Sequence, residues 1–295
     1  MKSFYSRIAS APISWGICEV PGWGKMLPTD RVLSEMNNLG LPATELGAPG
    51  FLPSDANEIS EKLGEFEMSL IGGFTPVVVH DKNQNQETLS QVKKVAELFK
   101  KTGATHLVSS PVYSWGWDAP KPLSADEYKN MFSMFSQIDK ICEDHGLTNV
   151  LHPHLQTTVE SKDEIERVLD GCDVKWCLDT GHMAIGGVDI VEFAKNAADR
   201  VGHVHLKDVD LSKAAPVLAR KESIMAGVQK GLFTPLGSGD VPIAQVINVL
   251  ESAGYQGWYV IEQDCAITGE LPAEGAGPAL MMNKSMDYLK SLAIG

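Results

Sequence analysis

Short apolar segments alternate with longer amphipathic ones along almost the whole chain, from about residue 8 to the end. The short segments are rich in β-branched residues, which is typical of buried strands. The longer segments repeat apolar residues every three or four positions, which places them on one face of a helix. The alternation predicts repeated βα units that surround a parallel sheet.

Eight such strands are predicted, and each is followed by a predicted helix. The strands fall at residues 8–14, 43–46, 68–74, 106–109, 149–154, 174–179, 201–206 and 258–262. The helices fall near residues 29–39, 55–64, 86–102, 124–145, 161–169, 189–197, 242–253 and 276–292. Eight βα units in a chain of this length are typical of a closed (β/α)₈ barrel, or TIM barrel. We therefore predict an α/β fold in which residues 1–295 form a single (β/α)₈ TIM barrel domain.

Local signals support these boundaries and argue against the main alternative fold. Two S-x-x-E capping boxes are predicted at helix starts, Ser124 with Glu127 and Ser161 with Glu164. The glycines predicted to end helices in a left-handed conformation are Gly40, Gly103, Gly146 and Gly254. An open doubly wound sheet would require a Gly-rich phosphate loop after the first strand, and residues 15–24 contain no G-x-G-x-x-G motif.

One segment departs from the alternation. Residues 212–231 have a helical pattern and precede a loop at residues 234–240, so we interpret both as an elaboration of the seventh βα connection. Loops of this kind often line an active site.

Composition and charge narrow the classes of function. Hydrophobic residues make up 43% of the chain and charged residues 21%, which is the balance of a water-soluble globular protein. The net charge of −13 disfavours nucleic-acid binding, which requires a basic surface, and favours small substrates and metal ions. The chain has no apolar run long enough for a membrane helix, and residues 1–11 lack the apolar core of a secretory signal, so we predict a cytoplasmic protein without membrane contact. The five cysteines are scattered without CxxC spacing, which predicts neither a disulfide framework nor a zinc knuckle.

Histidines are concentrated at the predicted strand ends. Five of the eight lie between residues 152 and 205, each at the C-terminal end of a strand or in the turn after it. In a (β/α)₈ barrel the catalytic groups are mounted at this end of the strands. Because side chains alternate along a strand, His152 and His154 share one face, and His203, His205 and Lys207 share another. If these faces point into the barrel, the side chains converge at its mouth.

Two carboxylates end apolar strands next to these histidines. Asp179 follows the run at residues 174–178, and Glu262 follows the run at residues 258–261. A carboxylate in such a position needs a partner that offsets its desolvation, and a metal ion would serve. The alternatives are a cap on the turn after Asp179 and an ion pair across the barrel for Glu262, whereas for His203 a structural role is favoured.

The motifs at these strand ends resemble those of a known family. They are His152-Pro-His154, Asp179-Thr-Gly-His182, His205-Leu-Lys-Asp208 and Ile261-Glu262-Gln. Further matching segments are Pro12-Ile-Ser-Trp15-Gly16, Glu45-Leu-Gly47 and residues 231–240. Over nearly the whole chain the sequence resembles the xylose-isomerase-like family of sugar and inositol isomerases, and most closely the inosose dehydratases of inositol catabolism.

The resemblance implies one divalent metal ion, held by Asp179, His205, Glu262 and a ligand from the fifth strand. We assign His152 as that fourth ligand, with His154 and Glu160 as the alternatives. Two nitrogen and two oxygen donors suit Mn²⁺ or Co²⁺ best, with Fe²⁺, Zn²⁺ and the less suited Mg²⁺ as alternatives.

The resemblance also implies catalytic residues beside the metal. His182 and Lys207 are expected to be the proton-transfer groups, with His154 and Glu160 as further catalytic candidates. A lysine beside a dication should lose its proton more readily and act as a base near neutral pH. The alternative for Lys207 is an ion pair with Asp208 or Asp210.

Substrate binding is expected to involve Glu45 and three tryptophans, Trp15, Trp115 and Trp117. The tryptophans would form walls for the apolar faces of a ring, with core packing as the alternative. No cluster of Arg and Lys lies near the strand ends, which favours an unphosphorylated polyol or keto-sugar.

The resemblance, together with these residues, implies a metal-dependent lyase that removes water from a keto-inositol or a related keto-sugar through an enediolate. A sugar or inosose isomerase or epimerase is the alternative, because it would use the same intermediate. The negative charge disfavours a metal-dependent endonuclease on the same barrel, and the intact ligand set argues against a non-catalytic binding protein. Whether the chain forms a homo-oligomer is left open by the sequence.

Overall fold

The strands of the structure follow one another along the chain in the order that the alternation predicts. The computed structural model describes residues 3–294. The barrel strands are β1 (Ile8–Ser10), β2 (Ala43–Glu45), β3 (Ser69–Val77), β4 (His106–Pro111), β5 (Thr148–Leu151), β6 (Lys175–Asp179), β7 (Val201–Leu206) and β10 (Tyr259–Ile261). Between β7 and β10 the chain forms a separate antiparallel ribbon of β8 (Asp208–Val209) and β9 (Phe233–Thr234).

The barrel strands are all parallel, and the sheet closes on itself. β10 completes the ring by pairing with both β7 and β1. In this pairing His205 of β7 is the register partner of Val260 on one side and of Asp179 on the other. The predicted (β/α)₈ TIM barrel is therefore confirmed.

Helices connect the strands and surround the barrel. They are α1 (Thr29–Asn38), α2 (Ala56–Gly64), α3 (Asn85–Thr102), α4 (Ala125–Asp144), α5 (Lys162–Gly171), α6 (Thr180–Ile185), α7 (Ile190–Asn196), α8 (Ala215–Leu218), α9 (Ile224–Gln229), α10 (Ile243–Ser252) and α11 (Pro278–Ser291). Both predicted capping boxes are present, at the starts of α4 and α5, and the four predicted C-cap glycines all have positive φ. Within residues 3–294 no helix is long and apolar enough to cross a lipid bilayer.

Two predicted strands end earlier than expected because of proline. The first ends at Ser10, since Pro12 begins a 3₁₀ helix, Pro12–Trp15. The fifth ends at Leu151, because Pro153 has no N–H to donate to a neighbouring strand. The histidines on either side of Pro153 therefore lie just beyond the strand, in the loop above it.

The elaboration after β7 is less helical than its sequence pattern predicts. The helical pattern at residues 212–231 breaks into α8 and α9, and between them Arg220 has a left-handed φ of 55°. The loop that follows is fixed by the buried carboxylate of Asp208, which accepts backbone N–H groups of Gly237, Gly239 and Val241 at 2.8, 3.0 and 3.1 Å. Asp208 thus holds the end of the elaboration against the barrel.

The main apolar core lies between the barrel and its helices, and its largest fully buried side chains include Trp15, Trp176, Phe99 and Phe135. Inward-facing positions near the C-terminal ends of the strands carry polar groups instead. These groups form the site described next.

Candidate active site

Four side chains meet where β5, β6, β7 and β10 end. They are His152, Asp179, His205 and Glu262, and none is more than 8% exposed. Each offers a nitrogen or carboxylate oxygen, and the four atoms all lie within 4.8 Å of one another. The structure therefore brings together the four residues that the sequence assigns to a metal ion.

The nitrogen and oxygen atoms of this cluster face one another at short distances. His152 Nε2 lies 3.2 Å from Asp179 Oδ2, and His205 Nδ1 lies 3.0 Å from Glu262 Oε2 and 3.7 Å from Asp179 Oδ2. His205 Nδ1 and Glu262 Oε2 are buried and make no well-oriented hydrogen bond, although Lys207 Nζ lies 2.9 Å from Glu262 Oε2. Because an unpaired buried polar atom is costly, this arrangement fits a divalent cation that two imidazoles and two carboxylates would share.

The charges of the cluster suit it to a cation. Burial alone would raise the pKa of Asp179, but Lys207 and His182 outweigh burial and hold it well below its usual range. Burial likewise opposes ionisation of Glu262, yet His205 and Lys207 lower its pKa to about 2. Against burial, surrounding groups that include Glu262 and Glu45 raise the pKa of His205 well above its usual range. A metal ion that binds His205 must displace this proton, so binding releases protons.

Glu45, for which substrate binding was predicted, is buried inside the barrel beside two histidines. Its Oε1 accepts from Nε2 of His203 at 2.8 Å and from Nε2 of His205 at 3.0 Å, and all three side chains are buried. The pKa of Glu45 is lowered, because the two histidines outweigh burial. The Glu45 carboxylate therefore contacts His205 on Nε2, the nitrogen opposite the one that faces Glu262.

Lys207 enters the cluster from the position just after β7, two residues beyond His205. Its Nζ lies 2.8 Å from Asp264 Oδ1, 2.9 Å from Glu262 Oε2 and 3.1 Å from His182 Nε2. Burial alone would lower the pKa of Lys207, but Asp264, Glu262 and Asp179 raise it, so the side chain is an ammonium in these surroundings.

The alternative role considered for Lys207, an ion pair with Asp208 or Asp210, is wrong. Asp208 points away from it and binds the backbone of the loop described above, and Asp210 pairs with Lys213 at 3.1 Å. The actual partner, Asp264, was missed. Asp264 follows Glu262 by two positions, so the alternation that places Glu262 at the mouth could have identified it.

Two further histidine rings, tilted by 45° to each other, lie beside Lys207. The rings of His182 and His154 lie 4.0 Å apart, and His182 Nδ1 is buried without a hydrogen-bond partner. Burial is the main cause that lowers the pKa of both, to about 3 for His154 and well below its usual range for His182. Both are therefore neutral imidazoles at neutral pH, and His182 Nε2 can accept from the Lys207 ammonium.

The remaining catalytic candidate, Glu160, lies outside the cluster. One oxygen of its carboxylate is paired with Arg220 of the elaboration, and the other accepts from the backbone N–H of Gln156 at 2.6 Å. These contacts join the loop after β5 to the segment after β7. Among the residues described, Glu160 thus has partners of its own and does not reach the four donors.

An aromatic wall borders the cluster on one side. Trp117 is 43% exposed and stacks on Phe74 with ring centroids 6.0 Å apart and planes at 16°, and both rings lie edge-on to His154. Trp117 has φ of 58°, a conformation that bulky residues rarely adopt and that is concentrated at functional sites. Phe74, which the sequence analysis does not single out, is the exposed residue near the end of β3.

The other two tryptophans occupy different surroundings. Trp15 is fully buried in the core, and its Nε1 donates to Glu35 at 2.9 Å. Trp115 is half-buried, and its Nε1 donates to Gln84 at 2.9 Å. Trp117 is therefore the tryptophan of the three that presents a large open surface beside the cluster.

Comparison with known proteins identifies a family whose profile matches the chain and a similar protein of named activity. The profile described as xylose isomerase-like TIM barrel matches residues 19–292. The inosose dehydratase of Geobacillus kaustophilus (strain HTA426) is 32% identical over 275 residues, which cover 88% of this chain and 89% of that protein.

Two solved structures share the fold at low identity. One is the IOLI protein with a binding zinc atom, at a TM-score of 0.69 and 15% identity over 96% of each chain. The other is L-ribulose 3-epimerase, at a TM-score of 0.69 and 14% identity over 96% of this chain and 93% of that one. At this level of identity the likeness extends to the fold alone.

Proposed function

Because the chain belongs to the xylose isomerase-like TIM barrel family, we propose that it is a divalent-metal-dependent dehydratase that acts on a keto-inositol or a related keto-sugar. The observation that carries the proposal is the buried cluster of His152, Asp179, His205 and Glu262 with Lys207 beside it. The similarity to an inosose dehydratase over most of both chains supports the choice of reaction and substrate class.

The four clustered residues would hold the metal ion, with Mn²⁺ or Co²⁺ as the preferred ion for two imidazoles and two carboxylates. When bound, the ion supplies positive charge that stabilises negative charge developing on the oxygen atoms of the substrate. The protein's own part is to exclude water, to orient the ring and to move two protons.

Removal of water requires a base and an acid. A proton leaves the carbon next to the ketone, and the β-hydroxyl departs as water after it takes up a proton. His182 and Lys207 are in contact at 3.1 Å, so both can reach one substrate. Neutral His182 has its free lone pair on Nε2, the nitrogen that faces Lys207, and can take up a proton there as the base, whereas the Lys207 ammonium matches the requirements of the acid. The neutral His154 ring beside them would bind substrate hydroxyls.

Glu160 has a supporting part in this proposal. Through Gln156 and Arg220 it fixes the loop that carries His154 and ties it to the elaboration after β7. It therefore shapes the mouth without contact with the metal.

The aromatic wall should contribute to substrate binding. Trp117→Ala and Phe74→Ala are each expected to raise KM roughly fivefold, because the loss of one aromatic contact with a ring costs about 1 kcal/mol. Steady-state kinetics would measure the change, and kcat should fall much less than kcat/KM. Tyr5→Ala removes an aromatic ring of 46% exposure that precedes β1, at the opposite end of the barrel, and serves as the control. An unchanged KM in both wall variants would rule out this role.

The proposed function is tested directly by incubating metal-reconstituted protein with scyllo-inosose. We expect loss of one water per turnover and the appearance of a conjugated dione, detected by ultraviolet absorbance and mass spectrometry. Chelator-treated protein should be inactive, and metal should restore it. A product of unchanged mass but altered stereochemistry would favour the isomerase or epimerase instead, and unchanged substrate would contradict the proposal.

A further inference from the structure

The cluster has a second layer beneath it, and we infer that Glu45 and His203 are positioning residues that orient His205 so that its Nδ1 faces the metal. The inference rests on the proposed function, since it concerns how the metal site of that function is held. Neither Glu45 nor His203 would touch the ion in this arrangement.

The contacts run across the interior of the barrel. Glu45 ends β2 and His205 lies in β7, and two strands, β1 and β10, stand between them in the sheet. The Glu45 side chain spans this gap and places Oε1 3.0 Å from His205 Nε2 and 2.8 Å from His203 Nε2. His203 precedes His205 by two positions, so the two rings point to the same side of β7 and share one acceptor.

The chemistry of the acceptor determines which nitrogen of His205 carries hydrogen. A carboxylate oxygen can only accept, and Glu45 Oε1 lies within hydrogen-bond distance of both Nε2 atoms, so both must donate to it. In its neutral form His205 then has a bare lone pair on Nδ1, which lies 3.0 Å from Glu262 Oε2 and faces the cluster. A ligating histidine whose other nitrogen donates to a carboxylate is held in one tautomer and one ring orientation.

His203 gives the Glu45 oxygen a second donor. Without His203 the carboxylate would be tied by His205 alone, and its side chain could turn away in the buried interior. The shared acceptor thus links His203 to the metal ligand through one oxygen atom, and the effect of losing His203 should be smaller than that of losing Glu45.

A rival reading makes Glu45 itself a metal ligand. Oε1 of Glu45 and the Nε2 atoms of His203 and His205 also lie close enough together to hold an ion. In that case His205 would bridge two ions, one on each nitrogen, and Glu45 would be a ligand instead of a positioning residue. The two readings differ in the number of ions that one chain binds.

Metal affinity measured without substrate separates these possibilities. Wild type and the variants Glu45→Ala, Glu45→Gln and His203→Gln would be titrated with Zn²⁺ and Co²⁺ against a chelating indicator, and circular dichroism would verify that each is folded. We expect one ion per wild-type chain and an affinity about 10- to 100-fold weaker in Glu45→Ala. Glu45→Gln should lie between the two, because its amide oxygen still accepts but carries no charge. His106→Gln is the matched control, since the His106 ring lies 4.8 Å from the His203 ring and makes no hydrogen bond to Glu45. The metal affinity of this variant should equal that of wild type.

A second readout follows the tautomer itself. In ¹⁵N NMR spectra of the Zn²⁺-loaded wild type, His205 should carry its hydrogen on Nε2 and bind the ion through Nδ1. Binding through Nε2, two ions per chain, or equal affinities in wild type and folded Glu45 variants would each overturn the inference while leaving the metal centre in place. Failure of the wild type to bind any divalent ion would instead overturn the proposed function together with this inference.

Discussion

Asp179→Asn should reduce the bound metal from about one ion per chain to a trace and lower turnover by about 10³-fold or more. The asparagine keeps an oxygen to accept the backbone N–H of His182, which Asp179 Oδ1 accepts at 2.7 Å at the start of α6. It removes the charge that a dication requires, and a loss of about 4 kcal/mol of transition-state stabilisation corresponds to about 10³-fold. Elemental analysis of dialysed protein and steady-state rates would measure the two effects.

The same measurement tests the other ligands and their rival. His152→Ala, His205→Ala and Glu262→Gln should each lose metal, whereas Glu160→Ala should retain it, because Glu160 is paired with Arg220 and Gln156 outside the cluster. Full occupancy in the Asp179, His205 and Glu262 variants would remove the basis for the metal centre. Loss of metal in Glu160→Ala with normal binding in His152→Ala would move the fourth ligand to the loop.

Lys207→Met should lower kcat by roughly 10²- to 10⁴-fold while the metal stays bound. Methionine keeps most of the buried volume and removes the ammonium that contacts Asp264, Glu262 and His182. His182→Gln should have an effect of similar size. Metal content, kcat and solvent-deuterium exchange at the carbon next to the ketone would be measured for both variants.

Exchange assigns the two roles. The variant that loses exchange has lost the base, and the variant that keeps exchange but forms no dehydrated product has lost the acid. Lys213→Met is the control, because Lys213 forms an exposed ion pair with Asp210 whose loss should change little. Near-normal rates of exchange and dehydration in both Lys207→Met and His182→Gln would place the proton chemistry elsewhere, with His154 as the next candidate.

The fold followed from local patterns because each barrel strand is a short apolar run between signals that act within a few residues. Glycines such as Gly103 end helices whatever the tertiary context, and the Ser124 capping box starts one through its own hydrogen bonds. The strand ends that proline sets were less well predicted. The alternation treats Pro153 as one more strand position, although it cannot donate a hydrogen bond and the strand ends before it.

The residues of the cluster were accessible to the same period-two rule. His205 and Lys207 were predicted on one face, and both reach Glu262 Oε2 in the structure. Contacts across the barrel could not be predicted from this alternation. The sequence contains no signal that pairs Glu45 with His205, because the pairing depends on which strands face each other once the ring is closed. Sequence neighbours were equally poor guides to the ion-pair partner of Lys207. Asp208 follows Lys207 directly, so its side chain points to the other side of the chain.

The four donors of the cluster come together only when the barrel closes. Glu262 follows β10, the last barrel strand, and β10 takes its place between β7 and β1, the first strand of the chain. During synthesis His152, Asp179 and His205 therefore exist, and can be paired through β5, β6 and β7, before the fourth donor has left the ribosome. A nascent chain therefore has an incomplete cluster until β10 joins β7 and β1, and the four donors come together only when the barrel closes.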